Sequence, residues 1–138
     1  MLAADLPVEK FVTMIYAVLD PERRTVTFAN AGHLRPVIID ASGVHTIKTK
    51  PELPLGIREG SYSEHEVQLA VGSQLFLYSD GVIEARGRSS EEYGEARLLR
   101  HVGTSSASVE SLLEDVLAHA KGHPVVDDIT IVMVEALG

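Results

Sequence analysis

Between residues 11 and 81 the chain repeats one plan, in which two strand-like runs flank a short cluster of turn formers. "FVTMIYAVLD" and "TVTFANAG" stand on either side of "PERR". "RPVIIDASGVHTIKT" follows the same plan around Asp40-Ala41-Ser42-Gly43, and "YSEHEVQLAVGSQLFLYSDG" around Val71-Gly72-Ser73. β-branched and aromatic runs broken by Pro, Gly, Asp and Ser predict three hairpins. Between the second and third pairs, "KPELPLGIREG" holds two of the six prolines and two glycines, and is expected to be an ordered loop.

The period then changes. "EEYGEARLLRHV" reads as a short helix, with Ser89 and Glu92 at capping-box spacing and Gly94 weakening any longer one. "SVESLLEDVLAHAKGHP" is a stronger helix, in which Val109, Leu112, Leu113, Val116, Leu117 and Ala120 share one face. The spacing predicts that Leu112, Leu113, Val116 and Leu117 are buried. Ser108 suits the N-cap, Glu110 suits the positive helix end, and Gly122 with Pro124 stops the helix. A final strand is expected at 129–134 in "DDITIVMVEAL". Strands first, helices next and one returning strand make an α+β fold of mainly antiparallel β-sheets with packed helices. At 138 residues the chain has room for one domain, 1–138, and not for two ordinary ones.

Composition narrows the function classes. A net charge of −8 argues against a nucleic-acid partner and suits metal cations or a basic partner. No run of about 18 apolar residues is present, so no membrane-spanning segment is expected. "MLAADLPVEKF" lacks the basic flank and apolar core of a secretory signal. With no cysteine, disulfides and thiolate metal sites are excluded, which fits a cytoplasmic location. No Gly-x-Ser-x-Gly, phosphate-loop or dinucleotide glycine pattern occurs.

Two acidic sites stand out by position. Asp80 follows the apolar run "QLFLY", and Asp127-Asp128 precede another. If those strands are neighbours, carboxylates 47 residues apart meet at one rim, where Mg²⁺ or Mn²⁺ finds the oxygen ligands it prefers. Gly81 would let backbone approach closely there. On pattern alone, a turn at Asp80-Gly81 and a cap at Asp127 or Asp128 is the commoner arrangement, and spacing does not decide the matter. The histidines carry less. His119 and His123 have zinc-pair spacing, but Gly122 and Pro124 interrupt the helix between them. With His45, His65 and His101 they read as solvated surface residues, while His33 in "NAGHLRP" is more ambiguous, a turn residue packed near the rim ahead of a ligand or a base.

The ordered series "FVTMIYAVLDP", "TVTFANAGHLRPVII", "LPLGI", "QLFLYSDGVIEAR", "YGEARLL" and "DDITIVMV" resembles the PPM-type, protein phosphatase 2C-like family, and within it the SpoIIE branch of bacterial serine/threonine phosphatases. The likeness runs from about residue 10 to the end. It implies an α/β-β/α sandwich and signal-transduction hydrolysis of phosphoserine or phosphothreonine by water activated at a two-metal Mn²⁺ or Mg²⁺ centre, without a phosphoenzyme. By resemblance Asp80 matches the late metal-binding aspartate and Asp127 the last one. Asp128 stands where relatives often carry Asn and is a weaker ligand candidate. Gly81 would shape the rim, Glu84 would lie near it without ligating, and His33 is a further candidate for the rim. The implied substrate is a phosphorylated regulatory protein such as an anti-sigma-factor antagonist.

Family members carry a further segment ahead of this region, with a "GDVSGHG"-like motif and the carboxylate that bridges the two metals. Nothing here corresponds to it, and "LAADLPVEKF" resembles the end of the linker that follows it. The chain therefore resembles the C-terminal portion of a phosphatase domain, expected to turn over little or not at all by itself. Sheet edges left open would invite pairing with another chain, including a homodimer. The alternative is a non-catalytic, pseudophosphatase-like module that binds a partner through the same face.

Overall fold

Residues 10–138 are described in the computed structural model; all but the end of the linker-like stretch lies outside them. Among the described residues the elements run β1 (Met14–Asp20), β2 (Thr25–Ala31), β3 (Val37–Asp40), β4 (Gly43–Thr46), β5 (Glu64–Gln68), β6 (Gln74–Tyr78), α1 (Asp80–Ile83), α2 (Gly94–Val102), α3 (Val109–His119) and β7 (Ile131–Glu135). They divide into two compact units, one built from residues up to Arg35 with Lys48–Ala70, the other from Pro36–Ile47 with Val71–Gly138. No described helix is long and apolar enough to cross a membrane.

The first unit holds an antiparallel sheet in the order β1-β2-β5. The β1–β2 turn forms as the sequence predicts. The Arg23 amide donates to Asp20 Oδ1 at 2.9 Å, and the Gln68 side-chain amide donates to the Arg23 carbonyl at 2.7 Å. Val26 and Phe28 alternate onto the buried face, each 2% exposed. β1 is an edge strand whose other row, Met14, Tyr16 and Val18, is exposed. The proline-rich loop is ordered too: Leu55 and Val12 exchange two backbone hydrogen bonds of 2.8 and 2.9 Å.

The second unit holds a four-stranded antiparallel sheet, β4-β3-β6-β7. The β3–β4 hairpin forms around the Asp40 turn, where Ser42 donates to Asp40 from both amide and hydroxyl. Successive β6 residues point to opposite faces, and both Leu75 and Phe76 are buried, as a central strand requires. Helix α2 packs against β4, and α3 against β7 and α2.

Three expectations need correcting. The third strand pair is not a hairpin: β5 pairs with β2, while β6 pairs with β3 and β7 in the other sheet. The Val71-Gly72-Ser73 turn exchanges its backbone hydrogen bonds with Ala136 at the end of β7, so β5 and β6 are not joined across it. Ser89 does not cap a helix. Residues 85–93 close on themselves through an Arg86–Glu92 bridge and a Tyr93-to-Ala85 hydrogen bond of 2.8 Å, and α2 starts only at Gly94. Finally, Leu112 and Val116 are fully buried in α3, but Leu113 and Leu117 are 36% and 46% exposed. The buried stripe is the single row 112–116–120, and a residue one position on is rotated by about 100° away from it. The N-cap of α3 is Ser108 as expected, with Glu110 in the first turn, and Ser111 completes a reciprocal box with Ser108.

Candidate metal centre

The antiparallel pairing of β6 with β7 places Tyr78 opposite Ile131, so the exit of one strand and the entry of the other share a rim. Ser79 fastens that rim. Its amide donates to the Thr130 carbonyl at 2.9 Å, its hydroxyl donates to the Asp128 carbonyl at 3.0 Å, and it accepts from the Thr130 amide at 2.9 Å. One side chain thus satisfies two backbone groups of a segment 49 and 51 residues away.

Beyond Ser79 the chain turns into α1, a single helical turn. Asp80 opens it, and its Oδ1 accepts from the Gly81 amide at 3.0 Å. The Glu84 amide donates to the Asp80 carbonyl at 2.9 Å, so Glu84 stands one turn on and on the same face. Gly81 has no room for a side chain: a Cβ there would lie 2.3 Å from the Asp128 carbonyl oxygen. Asp127 holds the Asp128 amide on its Oδ1 at 2.8 Å.

One carboxylate oxygen from each of Asp80, Glu84 and Asp127 lies within 4.8 Å of the others, and all three residues are exposed. The structure therefore brings together the two aspartates read from the sequence and adds Glu84, which the sequence had placed nearby without a ligand role. Asp128 does not join the group. Its carbonyl, seated against Ser79 and over Gly81, is what it contributes. Three negative groups this close repel one another unless a cation intervenes. The donor set is all oxygen and open to water, which fits a hard divalent cation that keeps some of its hydration.

His33 belongs to the first unit. Its backbone is clamped by the buried Asn30, whose side chain accepts from the His33 amide at 2.8 Å and donates to the His33 carbonyl at 3.1 Å. Its Nδ1 lies 3.2 Å from Thr13 Oγ1. Of the five histidines read as surface residues, His45 and His123 are exposed. His65, His101 and His119 are half-buried and engaged with Phe28, Ser111 and the Glu91 carbonyl. Ser79 was the residue missed, and its only sequence signal was its place between "QLFLY" and Asp80.

Residues 1–137 match the family model described as Stage II sporulation protein E (SpoIIE). Protein IcfG of Synechocystis sp. (strain ATCC 27184 / PCC 6803 / Kazusa) is 25% identical over 129 residues, covering 90% of this chain and 20% of that protein. The SiaA-PP2C domain of Pseudomonas aeruginosa shares the fold with a TM-score of 0.80 at 22% identity, over 96% of this chain and 55% of that one. The manganese-presoaked phosphatase domain of SpoIIE from Bacillus subtilis does so at 0.70 and 22% identity, over 91% and 56%. The chain thus spans a fifth of the curated relative and little more than half of these solved domains. A family match over nearly every residue, on a fold shared with PP2C-type phosphatase domains, places this chain in the SpoIIE family.

Proposed function

We propose that the chain is part of a metal-dependent protein serine/threonine phosphatase and supplies one wall of its metal centre. Asp80 and Asp127 would hold Mn²⁺ or Mg²⁺, with Glu84 as a third carboxylate and Asp128 acting through its main chain. The meeting of three carboxylates within 4.8 Å at the β6–β7 rim of a PP2C-type fold carries the reading. Bound divalent cations supply an activated water and offset charge on the phosphoryl oxygens. The chain's own residues supply geometry: Ser79 keeps the two strand ends together, Gly81 admits the Asp128 carbonyl, and α1 aligns Glu84 with Asp80. The substrate is a phosphoserine or phosphothreonine on a regulatory protein such as an anti-sigma-factor antagonist, and the site works in the cytoplasm. Among the described residues, β1 and β5 are the edges of one sheet and β4 and β7 those of the other, which leaves room for a homodimer.

The test is phosphate release from a phosphoserine protein with Mn²⁺ or Mg²⁺, together with calorimetric metal titration. The full gene product should turn over and Asp80→Asn should not, because Asn keeps the shape and removes the charge that holds the cation. The 138-residue chain alone should take up metal weakly and turn over little. A full product as inert as its mutant would favour the non-catalytic module. Unchanged metal uptake in Asp80→Asn would remove the centre itself.

A further inference from the structure

Beside the three carboxylates lies a groove of about 390 Å³, lined by Glu84, Asp127, Arg86, Glu92, Val125 and Val126 among others. Arg86 is the one cation among its described lining residues. Resting on the phosphatase reading above, we infer that Arg86 binds the phosphoryl oxygens of the substrate and orients the phosphorylated side chain toward the carboxylate cluster.

The main chain at Arg86 is fixed. The bridge to Glu92, the Gly87-to-Glu91 hydrogen bond of 2.9 Å and the Tyr93-to-Ala85 bond of 2.8 Å close residues 85–93 into a small arm. Ala85 and Tyr93 anchor that arm at 5% and 1% exposure. At Gly87 a Cβ would stand 3.0 Å from the His119 ring, so the arm also sits tightly on the end of α3.

The guanidinium, by contrast, is left with donors to spare. Its described partner is Glu92 at 3.6 Å, an ion pair too long for a hydrogen bond, and both side chains are more than half exposed. Arg97 on α2 shows the opposite case, with its donors taken by the Glu92 and Tyr93 carbonyls and by Glu91. A planar fork with free donors matches a phosphoryl group bidentately. The groove's carboxylates repel an anion until cations sit on the cluster, and Glu92 competes for Arg86 meanwhile. Phosphate should therefore bind best with metal present.

The experiment is calorimetric titration of inorganic phosphate into the Mg²⁺-saturated full gene product, with Mg²⁺ affinity measured separately for each variant. Arg86→Met should weaken phosphate about tenfold or more, since hydrogen bonds to charged groups are the strong ones. Arg86→Lys should recover part of the loss, and Mg²⁺ affinity should hold in both. Glu92→Gln should tighten phosphate by freeing the guanidinium. Opposite signs for Arg86→Met and Glu92→Gln are the signature, because a pair that merely closes the arm would give the same sign. Same-sign effects, unchanged phosphate affinity in Arg86→Met, or no measurable phosphate binding in the wild type would each overturn the assignment. Asp80→Asn reads the metal centre separately through Mg²⁺ uptake, so a failed centre and a failed Arg86 assignment give different results.

Discussion

A methyl group at position 81 would stand 2.3 Å from one carbonyl oxygen and 3.3 Å from another, both on the segment that carries Asp127. Backbone cannot yield there as a flexible side chain would, so Gly81→Ala should push the 127–128 segment away from α1. We expect a loss of about 1–3 kcal/mol in stability and a clear drop in Mn²⁺ affinity, read by chemical denaturation and metal titration. An unchanged titration would mean that the carboxylates do not depend on this contact. Asp80 and Asp127 were legible in the sequence only as candidates, because a carboxylate beside an apolar run suits a turn or a cap equally well. Glu84 was read only as a neighbour of the rim, because its alignment with Asp80 depends on a single helical turn, too short to leave a periodicity. Asp127 and Asp128 look alike in sequence, and only the folded rim separates them, with the Asp127 carboxylate in the cluster and the Asp128 carbonyl on the Ser79 hydroxyl.

At the level of elements, α3 shows how far periodicity reaches. The spacing located the helix and its cap, yet it widened the buried face to include Leu113 and Leu117, because an apolar side chain does not say how broad its contact is. Leu112→Ala should cost roughly 2–5 kcal/mol, and Leu113→Ala should stay below about 1 kcal/mol. Equal denaturation midpoints for the two variants would contradict this packing. Strand β6 ends in a second test. Burial, aided by the nearby Glu95 charge, pushes the Tyr78 hydroxyl up to about 12 from an ordinary value of 10.0. The folded state therefore keeps a proton that the unfolded chain releases. The corresponding stability is fully present below pH 10 and falls as pH rises toward 12. Tyr78→Phe should make that fall shallower in melting curves between pH 9 and 12, all three being approximate bounds on this window.

Across the whole molecule, the strands were readable and some of their partners were not. Alternation marks a residue run as extended, but nothing local in β5 or β6 announces that the one joins β2 and the other β3 and β7. Hairpins with short turns are readable because the turn itself dictates the partner, as in β1–β2 and β3–β4. The rim formed by Ser79 has a consequence for motion. The candidate ligands come from strand ends far apart in sequence, so any local opening that frees β7 from β6 also pulls Asp127 away from Asp80 and Glu84. Under the proposed function a cation held there would have to be released before the strand could open, so the centre would act as a clasp on β7. Mn²⁺ or Mg²⁺ should accordingly slow amide hydrogen exchange in residues 129–135, and Asp80→Asn should abolish the slowing. Equal exchange with and without metal in the wild type would show that the strand opens with the clasp still fastened.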